Sequence, residues 1–137
     1  MIIEKYSHVM HIVSEVSGCL DHAKDVWDLL KASFPAGTVS GAPKIRAMQL
    51  INELESDVRG PYSGVYGSMD INGALNTAIT IRTMLVSNQV NGVSKVEVQA
   101  GAGVVADSIP ENEFQETLNK AKGMLTALGS LKTNLDL

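Results

Sequence analysis

The sequence predicts an α+β fold, an antiparallel sheet with helices packed on it. Three observations carry that expectation. Asn72-Gly73 and Asn91-Gly92 are short hairpin signals between β-prone runs, so the strands they join pair antiparallel. Residues 22–34 place apolar side chains at helical spacing, and two further helices are expected, one with Pro43 in its first turn that closes before Gly60-Pro61 and one from near Pro110 to about Leu128. The resulting order, one strand, two helices, three strands and a last helix, suits a layered α+β domain over residues 1–137.

Each element has its own warrant. Residues 8–16 are short, apolar and β-branched, which predicts a largely buried strand that Gly18 ends. Residues 22–34 carry Ala23, Val26, Trp27, Leu29, Leu30 and Phe34 at helical spacing behind Asp21, a candidate N-cap; Trp27 reads as core. Two prolines and two glycines break regular structure across 35–43. Pro43 suits the first turn of a helix bearing Ile45, Met48, Leu50, Ile51 and Leu54, which closes before Gly60-Pro61. Strands follow at 62–70, 75–87 and 94–99, and Val104 and Val105 extend the last beyond a flexible Ala100-Gly101-Ala102-Gly103 turn. The final helix opens near Pro110 with Glu111 and Glu113 in its first turn and runs to about Leu128.

The bulk properties exclude several classes. An apolar fraction of 45% is enough for a folded core. A net charge of −4 argues against nucleic-acid binding, which needs clustered positive charge. No apolar run approaches the ~18 residues of a membrane span, and the first residues lack a signal-peptide pattern. Cys19, the single cysteine, forms no internal disulfide and reads as a packed small residue, so a cytoplasmic setting is expected.

Four groups of residues have chemical potential. Glu113, Glu116 and Lys120 share one helical face. By spacing alone they read first as a solvated helix start with an ion pair, and second as two carboxylates for a hard cation such as Mg²⁺. The 100–103 turn reads as a simple tight turn, or as backbone N–H groups brought near an anion. Arg82 lies in an apolar β-prone run and needs a carboxylate partner, from the protein or from a ligand. His11 lies in an apolar run as a satisfied core histidine or as a general acid or base.

Six segments occur in an order that resembles a known family. They are Met10-His11-Ile12-Val13-Ser14, Pro35-Ala36-Gly37-Thr38-Val39-Ser40-Gly41-Ala42-Pro43-Lys44, Gly60-Pro61-Tyr62-Ser63-Gly64, Ile81-Arg82-Thr83, the run from Gln99 to Ser108, and Glu116-Thr117-Leu118-Asn119-Lys120-Ala121. Over roughly residues 2–130 the chain resembles the chorismate-binding enzymes, the family of anthranilate synthase component I and of aminodeoxychorismate, isochorismate and salicylate synthases. Pro35-Ala36-Gly37-Thr38 and Gln99-Ala100-Gly101-Ala102-Gly103 are most similar to the anthranilate branch.

The resemblance implies chorismate and Mg²⁺ as ligands, ammonia adding at ring carbon 2, loss of the 4-hydroxyl and elimination of pyruvate. A glutamine amidotransferase subunit would supply the ammonia. Glu116 and Glu113 would hold the metal. Tyr62 and Arg82 would clamp the enolpyruvyl carboxylate, with N–H groups around Gly101 and Gly103 as further donors. Lys120 would add positive potential, Thr38 would hydrogen-bond at the ring end, and His11 would transfer a proton.

Members of the family are several times longer and carry a further glutamate motif upstream. The expectation is therefore a C-terminal portion, inactive alone, that self-associates or pairs with a missing N-terminal half. Alternatives are an aminodeoxychorismate synthase portion and a non-catalytic carboxylate-binding module.

Overall fold

The structure, a computed structural model, describes residues 2–5, 10–87 and 94–135. The chain divides into two units, Met1–Ala32 and Ser33–Leu137.

In the first unit, β1 (Ile2–Lys5) pairs antiparallel with β2 (Met10–Val13), Glu4 opposite His11. The strand expected over 8–16 is thus one arm of a hairpin, and its described part stops at Val13. Val16 is 93% exposed, so nothing holds the run in a sheet. α1 (Val26–Ser33) begins later than Asp21 predicts. Asp25 is its cap: Oδ1 accepts from the N–H groups of Trp27 and Asp28, both at 2.9 Å, and Asp28 Oδ2 accepts from Asp25 N. This reciprocal pairing satisfies orphan donors of the first turn. Asp21 instead closes a turn, accepting from Ala23 N. Trp27 and Cys19 are both exposed, against the expectation of packing.

The second unit opens with a short α2 (Gly37–Ser40) and then α3 (Lys44–Leu54). Pro43 is the N-cap of α3 rather than its first helical residue. The two helices pack closely because position 41 is glycine, with φ 83°; a Cβ there would lie 2.7 Å from that of Ala47. Lys44 Nζ donates to Pro35 O at 2.5 Å and closes the loop that presents Thr38.

β3 (Val65–Met69) and β4 (Leu75–Ile79) form the expected hairpin. Asp70 N donates to Ala74 O, Asp70 Oδ1 accepts from Asn72 N and Ala74 N, and Gly73 takes φ 86°. That is the three-residue loop with a left-handed last residue common in hairpins.

The run predicted as one strand over 75–87 is two. β4 ends at Ile79, and β5 (Met84–Val86) pairs with β6 (Val96–Val98) in a separate ribbon. The break lies at Thr80–Thr83, where Arg82 has φ 52°. Left-handed backbone is incompatible with a strand. The second hairpin signal, Asn91-Gly92, lies outside the described residues. Val104 and Val105 belong to no strand. α4 (Pro110–Leu135) runs past Leu128, through both Gly123 and Gly129.

The α+β class and the antiparallel pairing stand, but the described strands form three two-stranded ribbons rather than one sheet. The expected core is also absent: among the described residues no hydrophobic side chain is buried.

Candidate functional site

Six of the residues singled out from the sequence line one cavity of the second unit, of about 570 Å³: Thr38, Tyr62, Arg82, Gly101, Gly103 and Lys120. They come from five separate stretches of chain, and local structure explains how each arrives.

Tyr62 sits in a turn in which Tyr62 N donates to Arg59 O and Gly64 N to Pro61 O, both at 3.0 Å. Ser63 N to Thr80 O and Thr80 N to Gly64 O, also 3.0 Å each, continue the β3–β4 ladder past Ile79. The ladder therefore delivers Tyr62 beside the Thr80–Thr83 break. There the chain leaves the ribbon, and Arg82 is exposed instead of buried in a strand. Among the described residues no carboxylate lies within ion-pair distance of it. The partner that an apolar strand would demand is therefore not required by the protein itself.

The 100–103 turn is held from α4. Lys120 Nζ donates to Gly101 O at 3.0 Å and pairs with Glu116 Oε1 at 2.5 Å. An ammonium has three protons, so one donor remains. Among the described residues the N–H groups of Gly101, Ala102 and Gly103 make no backbone hydrogen bond, which leaves them open to a ligand.

The two glycines differ physically. A Cβ on Gly101 would lie 2.9 Å from the Tyr62 hydroxyl, whereas one on Gly103 meets nothing within 4 Å. Gly101→Ala is therefore expected to displace Tyr62. Gly103→Ala should leave the melting temperature within about 1 °C, matching the small effect of changes away from packed features.

The acidic residues are placed differently. Glu113 Oε1 accepts from Ser108 Oγ at 2.7 Å, and Glu113 lies with Thr117, Lys120 and Ala121 on the half-buried stripe of α4. Glu116 is exposed and tied to Lys120. Neither lines the cavity; Glu116 reaches it only through Lys120. Among the described residues no three His, Cys, Asp or Glu side chains gather as a metal cluster. Two carboxylates on adjacent turns are nonetheless hard oxygen donors of the kind Mg²⁺ takes when substrate oxygens and water complete its shell. His11 lies in β2 of the first unit, and its side chain is outside the described residues.

Sequence reasoning missed Arg59 and Glu55, which also line the cavity. Arg59 Nε donates to Glu55 Oε2 at 2.8 Å and Nη2 to Oε1 at 2.5 Å. The i,i+4 spacing of Glu55 and Arg59 was the available signal. The hydrogen bonds from Arg59 hold the Glu55 carboxyl below its ordinary range, partial burial opposing, and the same bonds raise Arg59. A lowered carboxyl stabilises the fold above its unfolded pKa and loses that contribution as pH falls through the folded value. Acidification below about pH 4.5 should therefore lower the melting temperature, less so in Glu55→Gln.

The cavity is mixed in charge. Glu55 is neutralised by Arg59, Asp57 is present, and Arg82 and Lys120 supply cations. Unpaired Arg82 beside a phenol and free N–H groups is a set of donors for a carboxylate.

Known proteins resemble this chain over nearly its whole length. A family model described as chorismate binding enzyme matches residues 1–126. Anthranilate synthase component 1 of Synechocystis is 66% identical over 131 residues, 96% of this chain and 26% of that protein. The Aquifex aeolicus protein of the same name is 55% identical over 128 residues, 93% of this chain and 25% of that one. The crystal structure of anthranilate synthase component I from Streptococcus pneumoniae TIGR4 superposes with a TM-score of 0.82 at 52% identity, covering 90% of this chain and 27% of that chain. The chain spans about a quarter of the length of these relatives. On the family match and on identities well above half, the chain belongs to the chorismate-binding enzymes.

Proposed function

We propose that this chain forms the carboxylate-binding side of an anthranilate synthase component I of tryptophan biosynthesis. In that reaction chorismate and ammonia give anthranilate, pyruvate and water. The observation that carries the reading is the shared cavity of Thr38, Tyr62, Arg82, Gly101, Gly103 and Lys120. The names of the relatives support the anthranilate branch.

Arg82 and the Tyr62 phenol hold the enolpyruvyl carboxylate, by paired N–H donors and by one O–H donor. The N–H groups of Gly101 and Gly103 add donors without adding net charge. Thr38 hydrogen-bonds at the ring end. Lys120 contributes positive potential and is held in place by Glu116 and Gly101 O. Glu113 and Glu116 are the residues to hold Mg²⁺, which when bound supplies charge to neutralise the ring carboxylate. By the family resemblance His11, which lies in the first unit, would move the proton that accompanies loss of the hydroxyl or of pyruvate. The ammonia comes from a glutamine amidotransferase subunit.

The test is complementation. The chain is mixed with the N-terminal portion of the Synechocystis protein, chorismate, Mg²⁺ and ammonia, and anthranilate fluorescence is followed. Fluorescence that depends on the chain supports the proposal. Its absence, when the matching segment of the Synechocystis protein restores it, overturns the proposal.

A further inference from the structure

We propose that Arg59 is a positioning residue: it fixes the Tyr62 phenol and the Thr38 segment in the arrangement that forms the substrate cavity. The inference rests on that cavity being the chorismate site and adds a residue to it.

Four donor contacts define the role. The Nε and Nη2 groups fork onto the Glu55 carboxylate. Nη1 donates to Val39 O at 2.8 Å and to Ser63 Oγ at 3.0 Å. Val39 adjoins Thr38 in α2, and Ser63 adjoins Tyr62 in the turn, so one guanidinium joins the neighbours of two candidate site residues. The same guanidinium lies over the Tyr62 ring, with its carbon 5.7 Å from the ring centroid. That is within reach of a cation–π contact, which ends at about 6 Å. The backbone adds a further tie, since Arg59 O accepts from Tyr62 N. Arg59 thus holds Tyr62 by its ring, by its amide and through its neighbour.

The charge of Arg59 is already matched by Glu55 in a forked pair. A ligand carboxylate therefore finds Arg82, not Arg59, as its partner. The division of labour is physical: one arginine is bound internally on several acceptors, and the other makes no internal ion pair. Lysine cannot replace the first, because a single ammonium lacks the planar fork that reaches Glu55, Val39 and Ser63 together and lies flat over a ring.

The experiment is steady-state kinetics on the complemented synthase with chorismate varied. Arg59→Met should raise the KM for chorismate about tenfold with kcat within twofold. Arg59→Lys should recover less than half of that loss. In a Tyr62→Phe background Arg59→Met should add about threefold rather than tenfold, because part of its effect passes through the phenol and the rest through the Thr38 segment. A purely structural role gives a different signature, lower kcat from fewer active molecules at unchanged KM, and overturns the inference. Independent, multiplicative effects of the two substitutions also overturn it. Should Arg59→Met fail to fold, Glu55→Gln keeps the Val39 and Ser63 contacts and should raise KM about threefold; an unchanged KM there overturns the inference. Arg82→Ala separates the two levels. If it leaves KM unchanged, the cavity is not the substrate site and both readings fall. If it raises KM while the Arg59 and Glu55 variants do not, the positioning role alone fails.

Discussion

Arg82→Ala is expected to lower kcat/KM for chorismate about a hundredfold in the complemented synthase, or about 2.7 kcal/mol at 1.36 kcal/mol per decade. The size follows from what the residue does and does not touch. It lines the cavity and, among the described residues, makes no ion pair. Its loss therefore removes ligand contact without stranding an internal charge, and the melting temperature should change little. Arg82→Lys should restore less than a tenth of the lost efficiency, since a point charge does not reproduce a two-donor grip on a planar carboxylate. Initial rates of anthranilate fluorescence measure both. A kcat/KM within threefold of the unsubstituted chain would remove Arg82 from the site.

The second large effect concerns assembly. The isolated 137-residue chain should scatter light as a species heavier than its 14.6 kDa, and should convert to a defined heterocomplex when the N-terminal portion of a relative is added. Ile71, Val58, Leu54, Val104 and Ile45 are each more than three-quarters exposed. β3 presents a fully exposed burial pattern and, among the described residues, one unpaired edge, since its ribbon has two strands. Apolar area and open strand edges on this scale drive association. A clean monomer at high concentration would refute the expectation.

What was legible in the sequence divides along physical lines. Local signals were read well: the Asn72-Gly73 hairpin, the α3 start at Pro43 and the acidic opening of α4 all depend on neighbours in sequence. The six cavity-lining residues were also named, Arg82, Lys120 and the 100–103 turn as unusual for their surroundings, Thr38 and Tyr62 through the family resemblance alone. What failed depended on context that no short window contains. Apolar β-prone residues at 75–87 read as one strand, yet the left-handed backbone at Arg82 divides them. Trp27 and Cys19 read as packed, yet both are exposed. Asp21 and Asp25 are both plausible caps, and the choice fell to Asp25 because Asp28 stands three residues later to complete the pair. Arg59 escaped notice because an i,i+4 ion pair is common on helix ends; its other acceptors, Val39 and Ser63, are supplied by the fold.

The left-handed conformation at Arg82 has a consequence for how this position tolerates change. A non-glycine residue there costs of order 1 kcal/mol or more, while glycine is at ease. Arg82→Gly should thus raise the melting temperature and abolish tight ligand binding in the same molecule. On the role proposed for Arg82, stability and ligand binding are opposed at a single backbone angle.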